Sequence, residues 1–348
     1  MQVQKQMTDI CVKVHKCPVP IIWLDTSVII NIALLKLGKL NNVTEKLRIE
    51  KYQKKIYELT RIGKLLCPEA SQPNEVWVQR SNFLDTLYEL SLGVTFRSHN
   101  GIKDLQVQRM MSAYISGETS VTMPYIEAFL QDPVLVTSQS LESGLSVHVD
   151  MGILGEIEDI KSQRAIIHQE WEDLRQVCLD EGTTYEKQLQ LERFGGIKET
   201  ISMAYAYAKK AMNGYETADN EFRSHLEISR LLGLWNLHEG AVGDLAGLMK
   251  FLSSPHYAAA PAIDISAALI ARLITGNKSI NHGDAMDVDH ISSILPYVNL
   301  MIVDKRMRNL VRQLSLDIKY NTLVCFTGDT DEIDNFFIQT ETAKVRSS

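Results

Sequence analysis

The residues best suited to chemistry are aspartates in the segment 283–305, which reads GDAMDVDHISSILPYVNLMIVDK. Asp284 and Asp287 are three residues apart and share one face of a predicted helix, whereas Asp289 points away from that face. Asp304 follows the apolar run LMIV and therefore lies at the carboxyl end of a predicted buried strand. Close carboxylates repel one another unless a proton or a cation lies between them. Because the ligand atoms are carboxylate oxygens, a hard divalent metal is the natural cation.

Two further acids occupy comparable positions near the start of the chain. Asp25 follows the apolar run IIWL, so it also ends a predicted buried strand. Glu75 lies in the first turn of a helix that Pro73 can start, just after a short apolar run at 64–67. Glu69, in the loop before that helix, is a competing carboxylate, and Glu75 also fits an ordinary acid that complements a helix dipole. Open parallel sheets place their ligands at the carboxyl ends of strands, which favours a shared site.

The elements that position these acids are short buried strands, each followed by a helical pattern. Strands are predicted at residues 21–24, 64–67, 300–303 and 322–326. Thr26 and Ser27 can cap the helix after the first strand, and the nearly apolar segment 262–275 predicts a buried helix. The segment SVHVDM, from residue 146, alternates like a small strand.

Composition favours a soluble globular protein rather than a membrane or secreted protein. The chain has 348 residues, of which 45% are hydrophobic and 23% charged, and it has no apolar run of about 18 residues. Its N-terminus lacks an apolar core of signal-peptide type. The five cysteines are scattered and form no C-x-x-C pair, which predicts no disulfide framework and a cytoplasmic location. A net charge of -7 argues against a protein that coats nucleic acid, but it leaves room for a local basic patch.

The pattern of strand-terminal acids resembles that of the PIN-domain nucleases. Those enzymes have a strand-terminal Asp followed by Thr or Ser, a Glu on a helix, an Asp at the start of a late helix and an acid that ends the next strand. The matching residues are Asp25 with Thr26 and Ser27 after it, Glu75, Asp284 or Asp287, and Asp304. The late segment, with its Leu-Pro-Tyr turn and V-D-K ending, is similar to a PIN-like subgroup. Asp284 has the better preceding glycine, whereas Asp287 has the better spacing to Asp304, and both stay open.

The resemblance implies a discontinuous α/β domain with a helical insertion. The expected fold is a three-layer α/β/α sandwich around a central, mostly parallel sheet. The predicted parts are an N-terminal lead-in at 1–20, a PIN-like domain at 21–144 and 256–327, a mostly helical insertion at 145–255 and a peripheral acidic tail at 328–348. The insertion is rich in charged residues of ordinary solvated helices, and it could mediate a homo-oligomer or bind a regulatory partner.

The resemblance also implies a Mg²⁺- or Mn²⁺-dependent nuclease that cuts RNA. A bound metal lowers the pKa of a water and neutralises charge on the scissile phosphate. The expected metal ligands are Asp25, Glu75, Asp284, Asp287 and Asp304. Substrate contacts are expected from Thr26 and Ser27 and from a basic helix face formed by Lys305, Arg308 and Arg312, although such a face is as often simply solvated. His290 fits a packing residue better than an edge of the site.

One expected biological role and two rival functions accompany this interpretation. A nuclease of this kind must be restrained in the cell, which suggests a toxin or antiphage-defence role. A PIN-like scaffold without activity, assembled through its insertion, is one rival, and a DNA-directed nuclease is another. A haloacid-dehalogenase-type phosphotransferase is excluded because it needs a second Asp two residues after the first, where this chain has Ser27.

Overall fold

The computed structural model describes residues 9–75, 80–147 and 157–343. The chain divides into two compact units, each assembled from three segments. We call them the sheet unit (14–102, 124–168 and 282–348) and the helical unit (1–13, 103–123 and 169–281). The domain boundaries expected from the sequence stay a prediction.

The described strands are short, and three of them form a parallel sheet in the sheet unit. They are β1 (Cys11–Val14), β2 (Ile22–Leu24), β3 (Ser120–Met123), β4 (Leu300–Ile302) and β5 (Leu323–Cys325). The parallel sheet has the order β2-β4-β5, with Leu24 beside Ile302 and Ile302 beside Cys325. The segment predicted as a strand at 64–67 contributes only an isolated parallel bridge between Ile21 and Leu66, so that prediction is wrong in extent. β1 and β3 form a separate two-stranded sheet, so the expected lead-in at 1–20 contains a strand.

Helices make up most of the chain, and short parallel strands accompany them. This mixture of helices and strands confirms the α/β class, while the three-layer arrangement stays a prediction. The helices are α1 (Thr26–Lys36), α2 (Val43–Arg61), α3 (Arg80–Ser91), α4 (His99–Ser116), α5 (Pro133–Ser143), α6 (Ile157–Asp180), α7 (Tyr185–Gln190), α8 (Gly196–Met212), α9 (Asp219–Asn236), α10 (Asp244–Leu252), α11 (Pro255–Ala259), α12 (Pro261–Ile274), α13 (Asp284–Ile294), α14 (Lys305–Gln313), α15 (Leu316–Lys319) and α16 (Thr330–Thr342).

The core of the sheet unit forms where helices cover the apolar strands. Strand residues such as Leu300 and Ile302 are fully buried, as expected of strands covered on both faces. Ile29 of α1 and Tyr52 of α2 are buried in the same hydrophobic cluster. So is Phe337 of α16, and this helix therefore belongs to the core rather than to a peripheral tail.

The helical unit contains α7, α8 and α9, which were predicted between residues 145 and 255, the second half of the predicted helix α6, and the predicted apolar helix, here α12. Helices α8 and α9 pack against each other, and α12 packs against α7 and the π-helical turn Leu191–Gly195. Most side chains of α12 are buried, including Asp264, which accepts a hydrogen bond from Arg193. The strand expected in SVHVDM falls mainly on residues outside the described ranges.

Candidate acidic site

Asp25 and Asp304 lie at the same edge of the parallel sheet, each at the point where a strand ends and a helix begins. Asp25 follows β2, and its backbone N–H donates to the carbonyl of Ile302 at 2.9 Å. Since β2 and β4 are parallel neighbours, the turns that follow them emerge on the same side. The predicted strand-end position of both acids is thus observed.

Both aspartates also cap the helices that they precede. Asp25 Oδ2 accepts from the Ser27 N–H at 3.2 Å and from Ser27 Oγ at 2.5 Å, so Asp25, rather than Thr26 or Ser27, is the cap of α1. Asp304 Oδ1 accepts from the backbone N–H groups of Arg306 at 2.5 Å and Met307 at 3.1 Å. These bonds fix the orientation of both carboxylates and place them at positive helix ends.

Asp287 is the acid of α13 that shares a cavity with Asp25. The two side chains line one narrow cavity that has no room for a water molecule, and its other walls are Trp23, His290, Ile291, Val303 and Met307. Asp287 Oδ2 lies 3.8 Å from the position that a Cβ would take on Gly283, so this carboxylate extends back along the first turn of α13. Of the two candidates on this helix, Asp287 is therefore the one that lines the same cavity as the strand-terminal Asp25.

Asp284 lies one turn away and is held by an arginine. The helix starts at this residue, as predicted, but its side chain is only 2% exposed. Asp284 Oδ2 is 3.0 Å from Nη2 of Arg306, the second residue of α14. Arg306 was not predicted as a site residue, because the sequence analysis selected only the arginines that share a helix face with Lys305. Its position two residues after a strand-terminal acid was the available signal.

His290 is a buried, neutral member of the same cavity. Its Nε2 is 2.8 Å from Ser71 Oγ, and its ring centroid is 5.5 Å from that of Trp23. Burial lowers the pKa of His290 to about 4, although the nearby Asp25 acts in the opposite direction. It therefore combines the packing role expected from the sequence with a place beside Asp25.

A loop after residue 66 supplies Ser71 and is tied to the end of β2. The Gln72 amide Nε2 donates to the carbonyl of Leu24 at 3.2 Å, and its Oε1 accepts from the Ala70 N–H at 2.5 Å. Gln72 is fully buried, so these bonds hold the loop directly beside Asp25. Ser71, Gln72 and Trp23 are further site residues that the sequence analysis did not single out.

The two glutamates of this region have different positions. Glu69 is buried and accepts hydrogen bonds from Thr95 Oγ1 at 2.7 Å and from Ser91 Oγ at 3.5 Å. Glu75 ends a 3-10 turn that starts at Gln72 rather than opening an α-helix. The side chain of Glu75 lies outside the described part of the chain, so its predicted role as a ligand stays a prediction.

The predicted basic face of α14 is engaged with acids at the start of α16. The Arg308 guanidinium pairs with Asp329 and lies over the ring of Phe326, with 4.9 Å between its Cζ and the ring centroid. Arg312 donates to the Val324 carbonyl at 2.8 Å and pairs with Glu332 at 2.5 Å, which lowers the pKa of that carboxyl. Lys305 is exposed, with its Nζ 5.6 Å from the Phe326 centroid. Arg308 and Arg312 thus anchor the C-terminal helix.

The carboxylates have the right chemistry for a hard divalent cation, but those described do not complete a binding set. Among the side chains that the structure describes, no three His, Cys, Asp or Glu residues are arranged to hold a metal ion. Asp25 and Asp287 share the cavity, and Asp284 is paired with Arg306. A Mg²⁺ or Mn²⁺ site usually includes one or two carboxylates with several waters. The donor type therefore fits the predicted metal, but the cavity that Asp25 and Asp287 share has no room for the waters that such a site needs.

Comparison with known proteins gives no family assignment. No protein-family model matches the chain, and no curated protein or solved structure matches it either. The resemblance to PIN-domain nucleases therefore depends on the residues quoted from the sequence and stays a prediction. Within the described ranges, no helix combines the length and the apolar character needed to cross a membrane.

Proposed function

We propose that this chain is a divalent-metal-dependent nuclease whose site lies at the carboxyl edge of the parallel sheet. The observation that carries the proposal is the meeting of Asp25 and Asp287 at one cavity, with Asp304 at the end of the neighbouring strand. Two of these acids cap helices, so their carboxylates are fixed in orientation before any ligand arrives. Such preorganised negative charge favours the binding of a cation, and a bound cation favours the binding of a negatively charged phosphodiester.

The protein groups of the site hold these acids in place. Ser27 and the backbone of α1 orient Asp25, while the first turn of α14 orients Asp304. The neutral His290 packs beside Asp25 and adds no charge to the cavity. A divalent cation at such a site supplies charge neutralisation and an activated water. The described side chains do not form a complete set of metal ligands. What they contribute is a fixed orientation of the carboxylates.

RNA is the proposed substrate, and the support for it is the resemblance to PIN-domain nucleases. The same resemblance supports a cytoplasmic toxin or antiphage-defence role, because an unrestrained ribonuclease damages its host. Arg308 and Arg312 are engaged with acids of the C-terminal region. Of the basic residues of α14 that were predicted to contact the substrate, Lys305 is therefore the one best suited to contact a phosphate group.

An inactive PIN-like scaffold is the second candidate, and one observation favours it. Asp284, one of the predicted ligands, is buried against Arg306, and the described side chains do not form a set of three metal ligands. A protein that had lost its metal would keep its acids neutralised in this way. Metal binding and cleavage separate the two candidates.

The test compares the wild type with Asp25→Asn and Asp289→Asn on RNA and on single-stranded DNA, with Mn²⁺ and with chelator. Asn is as good a helix cap as Asp, so the first variant keeps the fold while losing the carboxylate charge. Asp289 is exposed on the same helix as Asp287 and serves as the matched control. We expect metal-dependent cleavage by the wild type and the control, and a loss of about 100-fold or more in Asp25→Asn.

The other outcomes are equally informative. Cleavage of DNA alone would reassign the substrate. If no protein cleaves, but Mn²⁺ raises the melting temperature of the wild type and not of Asp25→Asn, the metal site is real and the activity requires an activating partner. If no protein cleaves and Mn²⁺ changes no melting temperature, the scaffold is the correct candidate. Equal cleavage by all three proteins would show that Asp25 is not in the site and would refute the proposal.

A further inference from the structure

A second cavity of the sheet unit, with a volume of about 320 Å³, shares no described lining residue with the acidic site. Three parts of the chain bound it: the turn 93–95 after α3, residues 130–143 in and before α5, and the segment 144–147, which we call the strap. Ligand pockets typically have volumes of about 300–1,000 Å³. Unlike the narrow cavity beside Asp25, this one therefore has room for a small molecule.

The strap approaches the turn closely and leaves two apolar side chains at the rim of the cavity. Gly93 has a φ of +84°, and a Cβ on this residue would lie 2.7 Å from the carbonyl oxygen of Val147, so the approach requires glycine. Leu145 and Val147 line the cavity, yet they are 76% and 80% exposed. A ligand in the cavity would remove part of this apolar surface from water, which favours its binding.

No charged side chain lines the cavity among the residues that the structure describes. Val94, Leu130 and Val136 add aliphatic surface to that of the strap. A charged ligand would exchange water for these walls without gaining a counter-charge, which is costly. The cavity therefore favours an uncharged ligand.

Two glutamines are the hydrogen-bonding groups that remain available to such a ligand. The side-chain amides of Gln131 and Gln139 line the cavity, are exposed and have no partner in the described part of the chain. A primary amide carries one acceptor and two donors, so it can bond to a ring edge that carries carbonyl and amino groups. The hydroxyl groups of the described walls already donate within the protein, namely Thr95 to Glu69 Oε1, Ser140 to the Leu92 carbonyl and Ser143 to the Gln139 carbonyl.

The loop after residue 66 joins this cavity to the acidic site. Glu69 is bound to the turn, because its backbone N–H donates to the Val94 carbonyl at 3.0 Å. Ser71 and Gln72, two and three residues later, lie beside Asp25. The cavity and the acidic site thus lie at the two ends of one short loop, so RNA is tested as a source of the ligand together with free nucleosides.

We propose that this cavity binds a nucleobase, an uncharged planar ring whose edge bonds to the amides of Gln131 and Gln139 while its faces pack against aliphatic side chains. Pockets that hold an extruded base combine edge hydrogen bonds with apolar walls in the same way. A sugar fits less well, because its hydroxyl groups surround the ring and several would face aliphatic walls unpaired. The inference goes beyond the proposed function, since binding of the base requires neither a metal nor cleavage.

The test is isothermal titration calorimetry with adenosine, guanosine, cytidine and uridine, and with single-stranded RNA in the presence of chelator. The decisive variant is Val136→Trp, which fills the cavity from α5, and Leu135→Trp is its matched control. Leu135 is the preceding residue of the same helix, is 56% exposed and does not line the cavity. We expect the wild type and the control to bind at least one nucleoside, and Val136→Trp to bind it about 10-fold or more weakly.

A second variant keeps the test informative if Val136→Trp does not fold. Gln139→Ala removes one exposed amide without filling the cavity, and Ser138→Ala changes the preceding exposed residue as its control. Loss of one hydrogen bond to the base weakens binding by about 3–10-fold, whereas the control keeps the wild-type affinity.

The outcomes identify the source of the base and separate this inference from the proposed function. RNA binding that weakens in Val136→Trp supports an RNA base as the ligand, and nucleoside binding alone supports a free nucleoside. The proposal is overturned if Val136→Trp and Leu135→Trp do not differ in affinity for any nucleoside or for RNA. That result with a wild type that cleaves RNA would leave the nuclease intact, whereas nucleoside binding by an inactive wild type would support the cavity and refute a working nuclease.

Discussion

Each compact unit contains a buried aspartate that pairs with an arginine, and the two pairs have different surroundings. In the helical unit, Asp264 is 3% exposed and lies 2.6 Å from Nη2 of Arg193. In the sheet unit, Asp284 is equally buried and lies 3.0 Å from Arg306. Burial, partner type and distance are therefore nearly the same in both.

The neighbours of each acid make the difference. Asp264 lies within the apolar run AIDISAALI of α12, where the side chains three and four residues away on its own face, Pro261, Ala267 and Ala268, are buried and carry no charge. Asp284 begins the run DAMD, where the next acid is one turn away and lines the same cavity as the strand-terminal Asp25. The two buried pairs therefore differ in that the proposed site has further acids at the same edge of the sheet.

The largest expected effect comes from breaking the pair in the helical unit. Arg193→Gln removes the guanidinium that pairs with the buried Asp264 and lowers the free energy of unfolding by about 3–5 kcal/mol. Thermal melting with and without Mn²⁺ measures this loss of stability. We expect Mn²⁺ to restore none of it, because the side chains that flank the buried aspartate on α12 are apolar.

The control for this prediction is the double variant Arg193→Gln with Asp264→Asn, which removes both charges and recovers most of the loss. Recovery of the single variant by Mn²⁺ would mean that the helical unit also attracts cations. The contrast between the two pairs would then disappear.

A smaller effect is expected at the strand-end acids, where stability and function should separate. Asp304→Ala loses the cap of α14 and lowers the free energy of unfolding by about 1 kcal/mol, whereas Asp304→Asn keeps the cap and changes it by only a few tenths. Both variants lose the carboxylate charge, so both lose the Mn²⁺-dependent rise in melting temperature.

Urea unfolding measures the free energy of unfolding, and thermal melting with and without Mn²⁺ measures the metal-dependent rise in melting temperature. A rise with Mn²⁺ that persists in Asp304→Asn would exclude this residue from the acidic site. It would leave Asp25 and Asp287 as the pair to be tested next.

The sequence allowed the strand ends to be predicted, because short apolar runs followed by helical patterns are local signals. Asp25 and Asp304 were thereby placed correctly, as was the start of α13 at Asp284. The choice between Asp284 and Asp287 could not be made, since both lie on one helix face and only tertiary packing gives them different partners. The same limit applies to Arg306 and Arg308, two residues apart on one helix, which pair with acids from different parts of the chain.

A third kind of buried charge sharpens the comparison, because it is compensated by neutral groups. Lys16 Nζ donates to the carbonyl of Val298 at 2.6 Å and to Thr322 Oγ1 at 2.8 Å, and burial lowers its pKa from 10.5 to about 7. Between pH 7 and pH 10.5 the Lys16 amine is therefore protonated in the unfolded chain and releases its proton in the folded protein. The contribution of Lys16 to the free energy of unfolding therefore rises with pH through this window, and it is least favourable below about pH 7.

Lys16→Met should flatten this dependence, since methionine has no proton to lose. We expect the slope between pH 7 and 9 to fall by at most about 1.4 kcal/mol per pH unit, and by less where water screens the amine. Urea unfolding of wild type and variant at pH 7, 8 and 9 measures the difference. Arg193→Gln leaves Lys16 and its two acceptors unchanged, so it should keep the wild-type slope. Identical slopes in the wild type and Lys16→Met would mean that the amine is hydrated, and that neutral acceptors alone do not hold a buried charge in this protein.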